Sequence, residues 1–242
     1  MNIVSKASRQ IILDTETTGM NQGGGPVYIG HRIIEIGCVE VIDRKLTGRH
    51  FHEYINPGQD IDEEAIAVHG ITNERVADCP RFHEVAPAFL EFIRGAEIVA
   101  HNAPFDISFM DHEFSLLNPK GPITADICSI VDSLDIAKYK HPGERNSLDA
   151  LCKRYFVDNS RRELHGALLD AEILADVYLL MTGGQTKLNL SADSVGGEAG
   201  GIKRLATDRQ MGKVLMATAD ELTKHTERLE LVAKGGKCRW SD

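Results

Sequence analysis

A chain of 242 residues, 42% hydrophobic and 26% charged, is long enough for one large domain or for one domain with an appendage. Its net charge of −9 excludes a protein that grips nucleic acid mainly through a basic surface. No apolar run reaches the ~20 residues that a membrane span needs.

The short polar stretch Met1–Arg9 does not read as a signal peptide, and the five widely spaced cysteines include no Cys-x-x-Cys pair. Reduced thiols in a cytoplasmic setting are the expectation, with Cys38, Cys128 and Cys152 filling the core. The charge is uneven: residues 203–242 carry nine Lys/Arg against six Asp/Glu, so the body before them is the acidic part.

In chain order, the apolar run Ile11–Leu13 reads as a buried strand that delivers Asp14 and Glu16 to a Thr/Gly turn. A Gly-rich loop, Asn21–Gly30, follows. Arg32–Val41 is β-branched, Thr47–Ile55 continues the pattern, and the three strands in series suggest an antiparallel meander. Asp62–His69 and Thr72–Asp78 read as short helices. Arg81–Arg94 is a longer one, with Phe82, Val85, Phe89, Phe92 and Ile93 at three- and four-residue steps.

Glu97–Ala100 is a short buried strand, and Phe105–Leu117 a helix with Pro104 in its first turn. Ile123–Ile130 reads as a weak strand, Ser147–Tyr155 as a capped helix, and Gly166–Met181 as the strongest helix of all. A meander followed by alternating strands and helices indicates an α/β fold, with a mixed sheet and helices packed on it. Residues 183–201 hold six glycines and read as a linker, and Thr207–Ala233 regains a helical pattern too short to bury its own core. Three domains are therefore expected: 1–182, 183–201 and 202–242.

Several polar residues sit where they are costly. Asp14 and Glu16, two apart on a strand, share a face, and paired carboxylates at a buried strand end repel unless a hard cation joins them. Asp106 lies among the apolar positions of its helix, beside Phe109 and Met110, where it is either a buried hydrogen-bond acceptor or a ligand. Asp170 falls on the stripe of Ala167, Ile173, Leu174 and Val177, where an unpaired charge is expensive, whereas Glu172 and Asp176 face outward. His165 precedes Asp170 by five residues, about 140° around a continuous helix, so the two converge only if His165 lies on the entering loop. A histidine so placed can act as a general base near neutral pH.

Asp14-x-Glu16, Asp106 within His-Asn-Ala-Pro-Phe-Asp, and His165-x-x-x-x-Asp170 resemble the three motifs of the DEDDh 3′–5′ exonucleases. Within that family the chain looks like the proofreading subunits of bacterial replicative polymerases, through Val68–Ile71, Asn146–Cys152, Met181–Gln185 and the tail. The resemblance implies a ribonuclease H-like mixed five-stranded sheet flanked by helices. It also implies two divalent cations, Mg²⁺ or Mn²⁺, on Asp14, Glu16 and Asp170, with Asp106 completing the acidic set and His165 as base. Glu64 and His69 would touch the terminal nucleotide, as would Thr17 and Phe105.

Gln185, Leu188 and Leu190 resemble a sliding-clamp-binding peptide. Residues 202–242 resemble a segment that anchors to the polymerase catalytic (alpha) subunit, and a small theta-like subunit would bind the outer face. The site motifs alone fit an exoribonuclease that trims RNA ends equally well, and a subunit that braces the polymerase with a vestigial site is a third reading. The linker and basic tail favour the replicase, and the intact acids and histidine favour activity.

Overall fold

The computed structural model describes residues 9–160, 162, 164–183 and 216–235. The chain divides into two compact units, Met1–Thr186 and Lys187–Asp242.

The first unit is built on a five-stranded sheet. Strand β1 (Arg9–Thr17) is its centre, antiparallel to β2 (Ile33–Ile42), which pairs in turn with β3 (Lys45–Tyr54). On the other side β4 (Glu97–Ala100) runs parallel to β1, and β5 (Ser129–Asp132) runs parallel to β4 at the edge. The order β3-β2-β1-β4-β5 is the expected mixed sheet, with the meander as its antiparallel half.

Alternation along β1 sorts its side chains between two cores. Ile11 and Leu13 pack with α3 (Phe82–Ile93) and α4 (Ala103–Leu117) on one face. Ile12 packs with Val39, Val41 and Val99 against α7 (Leu148–Tyr155) and α8 (Ala167–Thr182) on the other. Short helices α1 (Glu63–His69) and α2 (Asn73–Val76) border a smaller cluster around Ile61 and Ile71. Cys38, Cys128 and Cys152 are buried in these cores, as their apolar contexts predict.

One element departs from expectation. Ile123–Ile130 is not a strand: Thr124–Ile127 forms a helical turn, α5, and the strand begins only at Ser129. The reason is local polar bonding, because the Thr124 amide and hydroxyl both donate to Asp111 Oδ1, at 2.7 and 2.6 Å, and the Ile123 amide donates to Asp126. The next helix, α6 (Ser133–Lys140), is marked in sequence only by its cap, Asp132, which accepts from the Leu134 amide at 2.9 Å.

In the second unit, α9 (Ala219–Lys234) starts at a capping box of Thr218 and Glu221 within the predicted helical stretch and ends one residue past it. None of its residues is buried, and Leu222 and Leu231 are more than half exposed. The linker reading at 184–201, with Gln185, Leu188 and Leu190, and the tail reading at 202–215 and 236–242 fall outside the described residues.

Close approach of α8 to the sheet depends on Gly37, which pairs with Asp14 across β1 and β2. A Cβ at that position would lie 2.2 Å from the Ala167 carbonyl carbon and from the Leu168 amide nitrogen. Replacing Gly37 with Ala must therefore push the first turn of α8 off the sheet. The expected cost is about 1–3 kcal/mol of stability. Thermal denaturation of Gly37→Ala should register it as a lower Tm, and a Tm equal to the parent's would contradict the packing described.

Candidate active site

The site forms at the C-terminal end of β1, where helices from both faces of the sheet converge. From one face α4 presents Asp106, whose Oδ1 accepts from the Thr15 amide at 3.1 Å and the Thr15 hydroxyl at 2.8 Å. From the other, α8 presents Asp170 in its first turn. Asp14 and Glu16 project from β1 between them, and all four acids line one cavity of about 320 Å³ together with His165 and Arg162.

Within it, donor atoms of Glu16, His165 and Asp170 lie within 4.8 Å of one another. Asp14 and Asp106 share the cavity without joining that tight group. His165 is exposed on the loop before α8, as convergence with Asp170 requires, with Nδ1 3.5 Å from Asp170 Oδ2. Glu172 and Asp176 are exposed, as expected.

Concentrating these carboxyls out of water resists their ionisation. Burial, with repulsion from Glu35, Asp170 and Asp106, raises Glu16 to about 8. Burial raises Asp106 to about 7 despite the hydrogen bonds from Thr15. Asp14 is held well above the carboxylate range by burial and then by Asp106, Glu16 and Asp170, with Arg162 opposing. A crowded set of hard oxygen donors whose ionisation is opposed by its own charge fits divalent cations of the Mg²⁺ type.

The structure adds two residues that sequence reasoning missed. Arg162 lies over the acids: Nε and Nη2 donate to the two Asp170 oxygens at 2.5 and 2.6 Å, and Nη1 donates to Asp149 at 2.8 Å. Nη2 also meets His165 Nδ1 at 3.1 Å. A guanidinium has only donors, so Nδ1 is the unprotonated nitrogen of that imidazole. Burial works against the Arg162 charge, and its bonds to Asp170 and Asp149 outweigh burial. Arg162 was legible only as part of a polar loop, since nothing in the spacing ties it to Asp170.

The second is Glu35, which pairs with Glu16 across the sheet and is 2% exposed. Its Oε2 accepts from the Ala167 amide at 3.1 Å, and Oε1 lies 2.6 Å from His52 Nε2. Glu35 thus ties the start of α8 to β2 beside the space left by Gly37. An acid interrupting a β-branched run was its one signal.

A second cavity, about 270 Å³, adjoins the first, and Thr15, Glu16 and Phe105 line both. Glu64, His69 and Thr17 line the second one, on walls supplied by α1 and the turn after β1. His69 is buried; its Nδ1 accepts from the Ile71 amide at 3.0 Å, which leaves the proton on Nε2. Among the described residues that Nε2 has no partner in good hydrogen-bond geometry, so the wall carries a donor that a ligand can use. The His165 amide donates to the Val68 carbonyl at 3.2 Å, which joins α1 to the loop bearing His165.

A family profile described as an exonuclease (RNase_T) matches residues 11–178. The chain belongs to that exonuclease family. It is 54% identical to the DNA polymerase III subunit epsilon of Escherichia coli (strain K12), over 96% of this chain and 97% of that protein. It is also 54% identical to the same subunit of Pasteurella multocida (strain Pm70), over 99% and 96% of the two chains.

Among solved structures, Exonuclease X in complex with 5′ overhanging duplex DNA is similar with a TM-score of 0.54 at 30% identity, over 71% of this chain and 90% of that one. The nuclease domain of 3′hExo, a DEDDh family member bound to rAMP, shares the fold with a TM-score of 0.58 at 20% identity, over 73% and 92%. This exonuclease is accordingly a 3′–5′ hydrolase that proofreads in a bacterial replicase. Divalent metal cofactors come with the family, and the donor set accommodates them.

The raised carboxyls fix how the metal-free exonuclease responds to pH. Folded-state values above the unfolded ones mean that their stabilisation is complete below about pH 4 and is lost as pH rises through about 7 to 8. In EDTA, Tm should therefore fall between pH 5.5 and 8.5, and Arg162→Met should steepen the fall by removing the positive charge that opposes the rise of Asp14 and Glu16. Saturating Mg²⁺ should flatten it. Calorimetry that gives the same pH slope with and without metal would contradict the electrostatics described.

Proposed function

We propose that residues 1–182 release deoxynucleoside monophosphates from the 3′ end of DNA, with Asp14, Glu16 and Asp170 holding two divalent cations, Mg²⁺ or Mn²⁺, and Asp106 completing the acidic set. The observation that carries this reading is the meeting of four carboxylates and an imidazole in one cavity that adjoins a second. When bound, the cations supply positive charge to the scissile phosphate and make water more acidic.

The chain's own residues do the rest. The terminal nucleotide sits in the cavity walled by α1, where His69 offers its unpaired Nε2–H and Phe105 its ring, with Glu64 and Thr17 at the sugar. α1 is the wall assigned to stop the strand after its terminal residue, which would make removal stepwise. His165, on its exposed loop, takes the proton of the attacking water at Nδ1 once Arg162 gives up that lone pair. A frayed, mispaired end reaches the cavity more readily because part of its unpairing cost is already met.

The remaining assignments concern assembly in the bacterial cytoplasm. Residues 202–242 bind the polymerase catalytic (alpha) subunit, and the uncovered apolar side chains of α9 suit such docking. Residues 183–201 link the two parts and carry Gln185, Leu188 and Leu190 for the sliding clamp. A theta-like subunit would take the outer face of the sheet unit.

Two experiments test these roles. Asp14→Ala and Glu16→Ala should abolish nucleotide release from a 3′-mismatched duplex in Mg²⁺, and His165→Ala should lower kcat on the order of 10²-fold and flatten its pH profile; unaltered turnover in any of the three removes that residue from the mechanism. A chain ending at residue 182 should still hydrolyse short single strands but should no longer co-purify with the polymerase subunit. Persistent co-purification would place the docking segment elsewhere.

A further inference from the structure

The corner formed by α6 and α7 carries charge opposite to that of the chain as a whole. Residues 138–156 hold five Lys/Arg against two acids, in a protein with a net charge of −9. Lys138, Lys140, Arg145 and Lys153 are all exposed. The corner is tied together: His141 Nε2 lies 2.7 Å from the Tyr155 hydroxyl, and Arg154 reaches back to Asn146 Oδ1 and the Arg145 carbonyl, both at 3.0 Å. It is also continuous with the acidic cavity, because Ser147, Leu148 and Asp149 at the start of α7 line that cavity.

Two aromatic side chains stand out from this corner, Tyr139 at 71% exposed and Phe156 at 94%. Phe156 closes α7 with φ 57° and ψ 38°, the left-handed conformation that glycine or asparagine ordinarily takes at a helix end. A phenylalanine there strains the backbone and hides almost no apolar surface. Helix packing gives no reason for it.

We infer that this corner carries the single-stranded part of the substrate on the 5′ side of the scissile phosphate. Lys138, Lys140, Arg145 and Lys153 pair with successive phosphates, and Phe156 and Tyr139 offer faces on which unpaired bases stack. Interleaved cations and exposed rings suit a single strand, whose bases are free to stack, better than a duplex. From the cavity rim at Ser147 to Phe156, α7 spans about 12 Å, enough for a few nucleotides. The inference deepens the nuclease reading above and rests on it.

The test uses the full chain, Phe156→Asn, and a Lys140→Glu/Arg145→Glu double variant. Fluorescence anisotropy in EDTA measures binding of a labelled single-stranded oligonucleotide. Hydrolysis in Mg²⁺ is compared between that oligonucleotide and the p-nitrophenyl ester of thymidine 5′-monophosphate, which has no upstream nucleotides. Both variants should bind the strand roughly five- to tenfold more weakly, the double variant with a shallower salt dependence. The ratio of oligonucleotide to ester kcat/KM should fall to match.

Phe156→Asn should at the same time have a Tm equal to or above the parent's, because asparagine tolerates the left-handed turn; a purely structural Phe156 would lower it. Strand binding equal in all three proteins, or equal losses on oligonucleotide and ester, would overturn the inference. Because binding is read without metal, weaker binding by the variants supports it even if the parent hydrolyses nothing, and that result would sink the nuclease reading alone.

Discussion

Mutual repulsion among carboxyl groups gathered at one strand end is the constraint around which this exonuclease is arranged. Asp14, Glu16, Asp106 and Asp170 share a cavity, and there burial and like charge oppose ionisation of the first three, so much that Glu16 is raised to about 8 without a cation. Such a cluster does not serve stability alone, because Asp14, Glu16 and Asp106 favour the metal-free protein only while they hold a proton. The cluster makes sense as a binding site for positive charge. In this structure the Arg162 guanidinium provides some of that charge, clasping both oxygens of Asp170.

The sheet carries the cost of holding α8 so near that cluster. Gly37 leaves room for the backbone of Ala167 and Leu168, and Glu35 bonds the Ala167 amide from the next position on the same face of β2. Each of these two residues pairs across the strands with a site acid, Gly37 with Asp14 and Glu35 with Glu16. The register of β1 and β2 therefore sets the distance between Asp170 and the β1 carboxylates. A slip of one residue would turn Asp14 and Glu16 to the opposite face.

The site is divided into two adjoining cavities. Phe105 and Glu16 stand at the boundary, with the α1 wall and the unpaired His69 donor on one side and the four acids with His165 on the other. The bond from the His165 amide to the Val68 carbonyl couples the two sides, so a ligand that shifts α1 also bears on the loop holding His165. Beyond the acids, the rim runs onto the start of α7 and the cation-rich corner that α7 forms with α6.

Much of this was readable along the chain wherever one period or one cost decided the matter. The strand at β1, the meander, the long helices at 82–93 and 167–182, and the expensive positions of Asp106 and Asp170 follow from local patterns, because burying a charge on an apolar stripe needs a reason that the stripe itself reveals. The turn at Thr124–Ile127 escaped because side-chain bonds to Asp111 and Asp126 outweigh a weak strand propensity.

Arg162, Glu35 and Gly37 escaped for another reason: their partners lie at positions 170, 167 and 168, on an element that meets them only after folding. By itself the sequence determined which residues bear charge and which faces are apolar, since those are properties of neighbours on one strand or helix. Only the tertiary structure decided which cation sits over Asp170 and which donor is left unpaired in the pocket. Those depend on how loops settle against packed helices rather than on spacing along one strand or helix, and no local period encodes them.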